Sequence, residues 1–264
     1  MSEAPELRDP KTIAGLIREI ATVSEGVGRK VTLMEVCGTH THAVAAAGLR
    51  QMLPPGVRLI SGPGCPVCVT PVDFLDRALA LADLDATTVC TFGDLMRVPS
   101  SLSSLEKAHA TGKPIEIVYS PRDALLLARE NPDRRVVFLG IGFETTAPTI
   151  AAAVAEAEAD GVDNFLILPG NKVMPPPMRA LVEDRELKVD GFLLPGHVSV
   201  LTGWETFVFL ANEHGVPGAV VGFSPTDVLR GVLELISQCG RGVAEVTNLY
   251  SQVVSPAGNT TAFA

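Results

Sequence analysis

The sequence predicts an α/β protein made of two similar parallel-sheet domains that face a cleft. Eight short runs rich in β-branched residues alternate with helical stretches, a pattern typical of βαβ units and parallel sheets. The 264 residues exceed what one average domain needs, and 24 Gly with 20 Pro indicate many tight connections. A hydrophobic fraction of 47% with 19% charged residues is typical of a globular protein.

The order of elements along the chain supports this fold class. The predicted strands are residues 31–36, 57–61, 87–91, 115–119, 136–141, 165–168, 191–194 and 219–222. The predicted helices are residues 72–82, 102–110, 122–129, 146–159, 204–213 and 225–239, with a helix-like stretch at 43–52. The polar segment 130–135 is the predicted linker. It gives a first domain over 1–130, a second over 131–245 and the start of a further C-terminal region over 246–264.

Charge and hydropathy argue against two classes of partner. The formal net charge is −9 and the pI is near 5.1, without the basic stripe expected of a nucleic-acid-binding protein. Residues 1–10 are acidic and polar, and no apolar run approaches the roughly 18 residues that a membrane span needs. We therefore expect a cytoplasmic protein with neither a nucleic-acid nor a membrane partner.

The strongest chemical signal is the Cys-x-x-Cys pair formed by Cys65 and Cys68. It lies on a loop at residues 62–71 that Gly and Pro stiffen, because each proline fixes φ at about −65° and removes a backbone donor. This spacing brings the two Cα atoms within disulfide range and also matches metal-ligand spacing. In a reducing compartment such cysteines are more often catalytic or metal-binding than structural. The loop therefore predicts either a redox-active dithiol or a metal-binding site.

A second group of candidate ligands follows the first predicted strand. Cys37, His40 and His42 come directly after residues 31–36, and sulfur beside imidazole is an environment suited to Zn or Fe. Because neighbouring parallel strands end on one rim, we expect Cys37 to lie near the Cys65/Cys68 loop. Two other cysteines, Cys90 in an apolar run and Cys239 at the end of a helix pattern, are interpreted as packing residues.

Three later strand ends also carry polar residues. Residues 140–146 are similar to the start of a dinucleotide-binding turn, but Thr145 stands where the third glycine belongs, so a plain strand-to-helix turn with a Thr cap is the alternative. Residues 170–177 form another rigid strand-end loop, and His197 follows the next strand. We expect Thr145 and His197 to face the same cleft as Cys37, because parallel sheets gather their sites at these ends.

Taken in order, five blocks resemble those of the HypD family of hydrogenase maturation proteins. Residues 37–42 (CGTHTH), 62–71 (GPGCPVCVTP), 142–146 (GFETT) and 195–203 (PGHVSVLTG) resemble four family blocks, and the fifth, 222–227 (GFSPTD), has Ser224 where the family pattern has a carboxylate. The resemblance implies two α/β domains facing a cleft, then a C-terminal domain whose cysteines hold a [4Fe-4S] cluster. No cysteine follows Cys239 here, so we expect that cluster's ligands to be absent, in a fragment or a shortened lineage.

The resemblance also implies an assembly scaffold rather than a turnover enzyme. With the small partner HypC, such a chain would hold the iron of a [NiFe]-hydrogenase centre while CO and two cyanide ligands are attached. Cys37 would ligate that iron, and Cys65 and Cys68 would act as a redox dithiol. His40 and His42 would orient or protonate groups beside the metal.

By the same resemblance, Glu144, Thr145 and His197 would line the opposite wall of the cleft, where the cyanide donor HypE should dock. Two other functions stay open from the residues alone. One is a thiol-disulfide oxidoreductase that needs only the Cys-x-x-Cys pair. The other is a zinc-dependent hydrolase whose ligands are the three clustered cysteines and a histidine. Metal content separates the three hypotheses, since they require iron, no metal and stoichiometric zinc respectively.

Overall fold

The computed structural model describes residues 9–263 and shows an α/β protein with two sheets of parallel strands, which confirms the predicted fold class. Most of the acidic segment 1–10, and the last residue of the region predicted at 246–264, lie outside the described residues. Between residues 9 and 263, no helix has the length and apolar character that crossing a membrane requires.

The helices and strands alternate along most of the chain. The strands are β1 (Val31–Glu35), β2 (Val57–Ser61), β3 (Thr87–Thr91), β4 (Ile115–Ile117), β5 (Arg135–Gly140), β6 (Phe165–Pro169), β7 (Gly191–Pro195), β8 (Gly218–Val221) and β9 (Val246–Asn248). The helices are α1 (Pro10–Val27), α2 (Gly38–Ala46), α3 (Leu49–Met52), α4 (Val72–Ala82), α5 (Leu105–Ala110), α6 (Pro121–Glu130), α7 (Ala147–Ala159), α8 (Pro175–Glu183), α9 (Gly196–Thr202), α10 (Phe209–Asn212) and α11 (Pro225–Arg241). Short 3-10 helices cover Gly93–Arg97, Glu205–Phe207 and Thr260–Phe263.

All eight predicted strands are present, with ends shifted by at most about two residues, as expected for boundaries read from one sequence. The helix predicted at 204–213 is wrong, because a 3-10 turn precedes the short α10. The stretch 43–52 is two helices, since Gly48 takes a left-handed φ of 62° between α2 and α3. The loop predicted at 170–177 is present over residues 170–174, but its last three residues are the prolines that begin α8, where a missing N–H costs nothing.

The chain divides into two compact units, and the division differs from the linker predicted at 130–135. Unit 1 comprises Met1–Gly64 and Met174–Ala264, and unit 2 comprises Cys65–Val173. The reason is strand pairing: β7 pairs with β1, so the chain leaves the first sheet after β2 and returns to it more than a hundred residues later. The local polarity of 130–135 marks only the loop between α6 and β5.

Unit 1 is built on a five-stranded sheet of order β2-β1-β7-β8-β9, with every pairing parallel. α1 and α11 pack against it with a shared apolar core that includes Ile20, Leu33, Leu193 and Leu235, all fully buried. Parallel strands covered by helices are apolar along their whole length, which is why β7 was readable as a continuous run. The half-buried Cys239 packs against this core, as predicted.

Unit 2 is built on a four-stranded parallel sheet of order β4-β3-β5-β6. Alternate residues of β5 point to opposite faces, so Leu139 joins one core cluster with α4 and α5 while Phe138 joins another with α6 and α7. Cys90 is fully buried in the second cluster, and burial raises the pKa of its thiol to about 12. The interpretation of Cys90 as a packing residue is confirmed, because a thiol that stays protonated is unreactive.

Candidate functional site

Cys37 and His197 follow adjacent strands of the unit 1 sheet. β1 pairs with β7 through Glu35 and Leu193, and β7 pairs with β8 through Pro195 and Val221. Cys37 therefore stands just beyond β1, His197 just beyond β7 and the loop at residues 222–224 just beyond β8. The carboxyl edge of such a sheet is where α/β proteins bind their ligands.

Cys37 is held where β1 turns into α2. It is the N-cap residue, with extended backbone at φ −143° and ψ 126°, and it is 9% exposed. Its carbonyl accepts the Thr41 N–H at 3.0 Å, and the next residue, Gly38, donates its N–H to the Gly64 carbonyl at 2.9 Å. A Cβ on Gly64 would overlap the backbone of Cys37. The loop after β2 therefore lies against Cys37 closely enough that only glycine fits.

His40 is fully buried on α2 and stays neutral. Burial is the main cause that lowers the pKa of its imidazole, to about 4. Its Nε2 lies 3.0 Å from the Gly222 carbonyl, and since a carbonyl only accepts, Nε2 carries the proton. Nδ1 is then an unprotonated nitrogen, buried and without a hydrogen-bond partner among the described residues.

Phe223 contacts several other rings at this edge of the unit 1 sheet, and the sequence did not identify it as a site residue. His197 stacks on it at 3.9 Å between ring centroids with an interplanar angle of 26°, and His40 lies at 5.1 Å. Tyr250 meets it edge-on at 6.1 Å. His197 is itself exposed, and partial burial lowers the pKa of its imidazole. The only sequence signal for Phe223 was its place in the block at 222–227.

His42 lies on the opposite side of α2 from His40. Residues two apart on a helix point about 200° from each other, so His40 enters the core while His42 is exposed. His42 lines a cavity of about 530 Å³ together with Ile13, Ala43 and Phe223. The two histidines that the sequence grouped together therefore have different surroundings.

Glu35 is a buried carboxylate at the end of β1 that sequence reasoning missed. Its Oε1 accepts from Thr41 Oγ1 at 2.7 Å, Ser61 Oγ at 2.5 Å and an Arg50 guanidinium nitrogen at 3.4 Å. Its Oε2 is buried with no partner among the described residues, and burial raises the pKa of the carboxyl. Glu35 lies two residues before Cys37, and its hydrogen bonds connect β1 to β2, α2 and α3. An acid inside an apolar run was the only sequence signal.

The Cys65/Cys68 pair forms the first turn of unit 2. The Cys65 carbonyl accepts the Val69 N–H at 3.2 Å, and its Sγ accepts the Cys68 N–H at 3.2 Å. The two sulfurs lie 2.6 Å apart as free thiols, with Cys65 half-buried and Cys68 exposed. The hydrogen bond to Cys65 is the main cause that raises the pKa of the Cys68 thiol. The stiff loop thus brings the two sulfurs into direct contact.

Glu144 and Thr145 lie on the turn between β5 and α7, at the carboxyl edge of the unit 2 sheet. Glu144 is 9% exposed, whereas Thr145 is exposed. Thr146 is the N-cap of α7, as the plain strand-to-helix alternative required, but its side chain makes no capping bond. Its Oγ1 instead donates to the Phe143 carbonyl at 3.0 Å and accepts from Asn171 at 2.9 Å.

The predicted site residues thus fall into two groups, one in each unit. The sheet edge of unit 1 carries Cys37, His40, His42 and His197. The members in unit 2 are Cys65, Cys68, Glu144 and Thr145. Within residues 9–263, no three His, Cys, Asp or Glu side chains come together as a ready set of metal ligands.

Known proteins match this chain over nearly its whole length. The model of the family described as "HypD: Hydrogenase formation hypA family" matches residues 11–264. The Hydrogenase maturation factor HypD of Rhodobacter capsulatus is 44% identical over 268 residues, covering 100% of this chain and 71% of the relative. The protein of the same name from Escherichia coli (strain K12) is 45% identical over 258 residues, covering 96% and 69%. That from Rhizobium leguminosarum bv. viciae is 44% identical over 266 residues, covering 98% and 69%.

Proposed function

The chain belongs to the HypD family, and from that membership we propose that it acts as a hydrogenase maturation factor. The observation that carries the proposal is the match of residues 11–264 to the family, together with relatives of that name at 44–45% identity. In finer terms, we propose that it is a scaffold. With HypC, it holds the iron of a [NiFe]-hydrogenase centre as a substrate while cyanide and CO are attached.

Cys37 is the proposed iron ligand of this chain. It stands at the carboxyl edge of the unit 1 sheet, and a thiolate is a soft donor suited to iron that carries strong-field ligands. The neutral imidazole of His40, three residues later, adds no positive charge beside the cation. One thiolate leaves other coordination positions for cyanide, CO and a thiolate of HypC. We propose that His40, whose imidazole stays neutral, orients groups beside the iron, and that His42 orients or protonates them.

The proposed role of the Cys65/Cys68 pair is electron transfer. Two thiols that form a disulfide release two electrons and two protons, so the pair can reduce a bound species by two electrons without a further cofactor. The contact between the sulfurs supports this role, because little movement separates them from a bond.

We also propose that Glu144, Thr145 and His197 serve the encounter with HypE, the cyanide donor. Thr145 and His197 are exposed at the carboxyl edges of their respective sheets, where a second protein can contact them. Glu144 is buried beside Thr145, so its part is to support the turn rather than to meet the partner.

A second candidate function is a thiol-disulfide oxidoreductase with protein disulfides as substrates. The specific observation that favours it is the contact between the sulfurs of the half-buried Cys65 and the exposed Cys68. This activity needs no Cys37. Substitution of Cys37 therefore distinguishes the two functions. Substitution of the dithiol does not, because both functions require it.

The experiment is complementation of a bacterial strain that lacks its own HypD relative, with hydrogenase activity as the readout. We expect wild-type chain and Cys239→Ser to restore activity, and Cys37→Ser to give none. Cys239→Ser is the matched control because Cys239 is half-buried in the same unit and contacts the Asp190 carbonyl, away from the carboxyl edge. Full activity with Cys37→Ser would overturn the iron-scaffold function and favour the oxidoreductase.

A further inference from the structure

We propose that Cys65 is the attacking thiol of the dithiol and Cys68 the resolving thiol, an assignment that rests on the proposed redox function. The two sulfurs touch, yet their surroundings are not equivalent. The Cys65 sulfur accepts a backbone hydrogen bond, whereas the Cys68 sulfur is the more exposed of the two.

Backbone geometry directs one donor at Cys65. The turn after Cys65 places the Cys68 N–H 3.2 Å from the Cys65 Sγ, while Val69 N–H bonds to the Cys65 carbonyl. A backbone N–H only donates, so the Cys65 sulfur is necessarily the acceptor. A donor aimed at a sulfur favours its thiolate, which is the nucleophilic form. This bond belongs to the backbone of residue 68, and it persists when that side chain is replaced.

The Cys68 Sγ lies 2.6 Å from the Cys65 Sγ, and either thiol could donate across that contact, so it does not by itself distinguish the two sulfurs. The pKa of the Cys68 thiol is raised, chiefly by its contact with Cys65 and then by burial. A thiol that holds its proton in this way suits the resolving position, because the resolving thiol reacts only after the first attack.

Solvent exposure favours the opposite order. Cys68 is exposed, whereas Cys65 is half-buried. If solvent access alone decided reactivity, Cys68 would therefore attack first. The backbone hydrogen bond favours Cys65 as the attacking thiol, whereas solvent access favours Cys68. A rate measurement therefore separates them.

The chemical step is ordinary thiol-disulfide exchange with a disulfide as the oxidant. The Cys65 thiolate attacks one sulfur of the oxidant, forming a mixed disulfide and releasing one thiolate. Cys68 then loses its proton to water, attacks the Cys65 sulfur and releases the second thiolate. The dithiol has lost two protons and two electrons, and the oxidant has become two thiols.

The test uses the full chain with Cys65→Ser or Cys68→Ser and an aromatic disulfide whose released thiolate is coloured. The double variant measures the background from the remaining thiols at Cys37, Cys90 and Cys239. We expect Cys68→Ser to react about tenfold faster than Cys65→Ser near pH 7, and the ratio to shrink as the pH rises to about 9. Peptide mapping should find a stable mixed disulfide on Cys65 in Cys68→Ser, and wild type should release two thiolates per dithiol.

The assignment would be overturned if Cys65→Ser reacted as fast as Cys68→Ser or faster. Solvent access would then decide which thiol attacks first. That outcome is distinct from failure of the redox function itself. Undiminished hydrogenase maturation by the Cys65→Ser/Cys68→Ser double variant would remove the dithiol from the function, whichever sulfur reacts first in solution.

Discussion

The two sulfur-bearing regions of the molecule differ in how much of the fold surrounds them. Cys37 is 9% exposed and begins a nine-residue helix. Its neighbourhood includes the buried carboxylate of Glu35 and the neutral imidazole of His40. Cys65 and Cys68 stand on an open turn whose rigidity comes from prolines and a few local hydrogen bonds. The Cys37 sulfur is therefore buried by the fold, whereas the Cys65 and Cys68 sulfurs are positioned mainly by a local turn.

This difference matches the two tasks proposed for the sulfurs. A sulfur that holds a metal has to keep its position while ligands change, which burial and tight packing favour. A dithiol has to be reached by an oxidant and to change the distance between its sulfurs, which an exposed turn allows. Changes at the Cys37 region should therefore cost stability, whereas changes at the dithiol should alter reactivity with little effect on folding.

The largest expected effect is at Gly64, whose neighbour in space is the backbone of Cys37. Gly64→Ala places a Cβ against backbone atoms that cannot turn aside, so we expect a loss of about 3 kcal/mol in the free energy of unfolding. Urea unfolding measures this loss in the free energy of unfolding. Gly15→Ala is the control, because no atom lies within 4 Å of a Cβ built there and an alanine suits the middle of α1. Equal stability of Gly64→Ala and wild type would refute the close approach.

The next effect is a pH dependence from His40. The pKa of this imidazole is about 4 in the folded chain, below the ordinary value of 6.5, because of burial. As the pH falls the unfolded chain takes up the proton first, so the stability is complete above about pH 6.5 and is lost towards about pH 4. We expect about 2 kcal/mol of loss between about pH 7.5 and about pH 5 from this residue.

Urea unfolding of His40→Gln should remove that part of the pH dependence. His42→Gln is the matched control, since it lies on the same helix but is exposed, and it should keep the wild-type profile. A His40→Gln profile that parallels wild type would mean that the imidazole has the same pKa in the folded and the unfolded chain.

The smallest effect compares two helix caps of the same chemistry, one in each unit. Ser224 caps α11 and Ser120 caps α6, and each forms a reciprocal pair with an aspartate three residues later, Asp227 and Asp123. Ser224 is 4% exposed whereas Ser120 is partly exposed, so water can replace the lost bond only at Ser120. We expect Ser224→Ala to cost about 1.5 kcal/mol and Ser120→Ala about 0.5 kcal/mol in thermal unfolding. The reverse order would contradict the burial argument.

The sequence predicted eight of the nine strands among the described residues, because buried parallel strands are apolar runs that any local window detects, and it missed the three-residue β9. It did not predict the division into units, because the pairing of β7 with β1 is a long-range choice that no local pattern records. The cysteines and histidines were chosen from their chemistry, and their part in a functional site stays a prediction. Phe223 and Glu35 were not, because an aromatic or an acid becomes part of a site only through the neighbours that the fold gives it.

Of the proposed roles, the one most open to direct test is that of Cys37 as the iron ligand. The most direct measurement is anaerobic co-purification of the chain with HypC, followed by iron analysis and infrared spectroscopy of Fe-bound cyanide and CO. We expect stoichiometric iron and these bands with wild type and with Cys239→Ser, and neither with Cys37→Ser, although Cys37→Ser should still bind HypC. Undiminished iron and unchanged bands in Cys37→Ser would contradict the claim and assign the metal to other ligands.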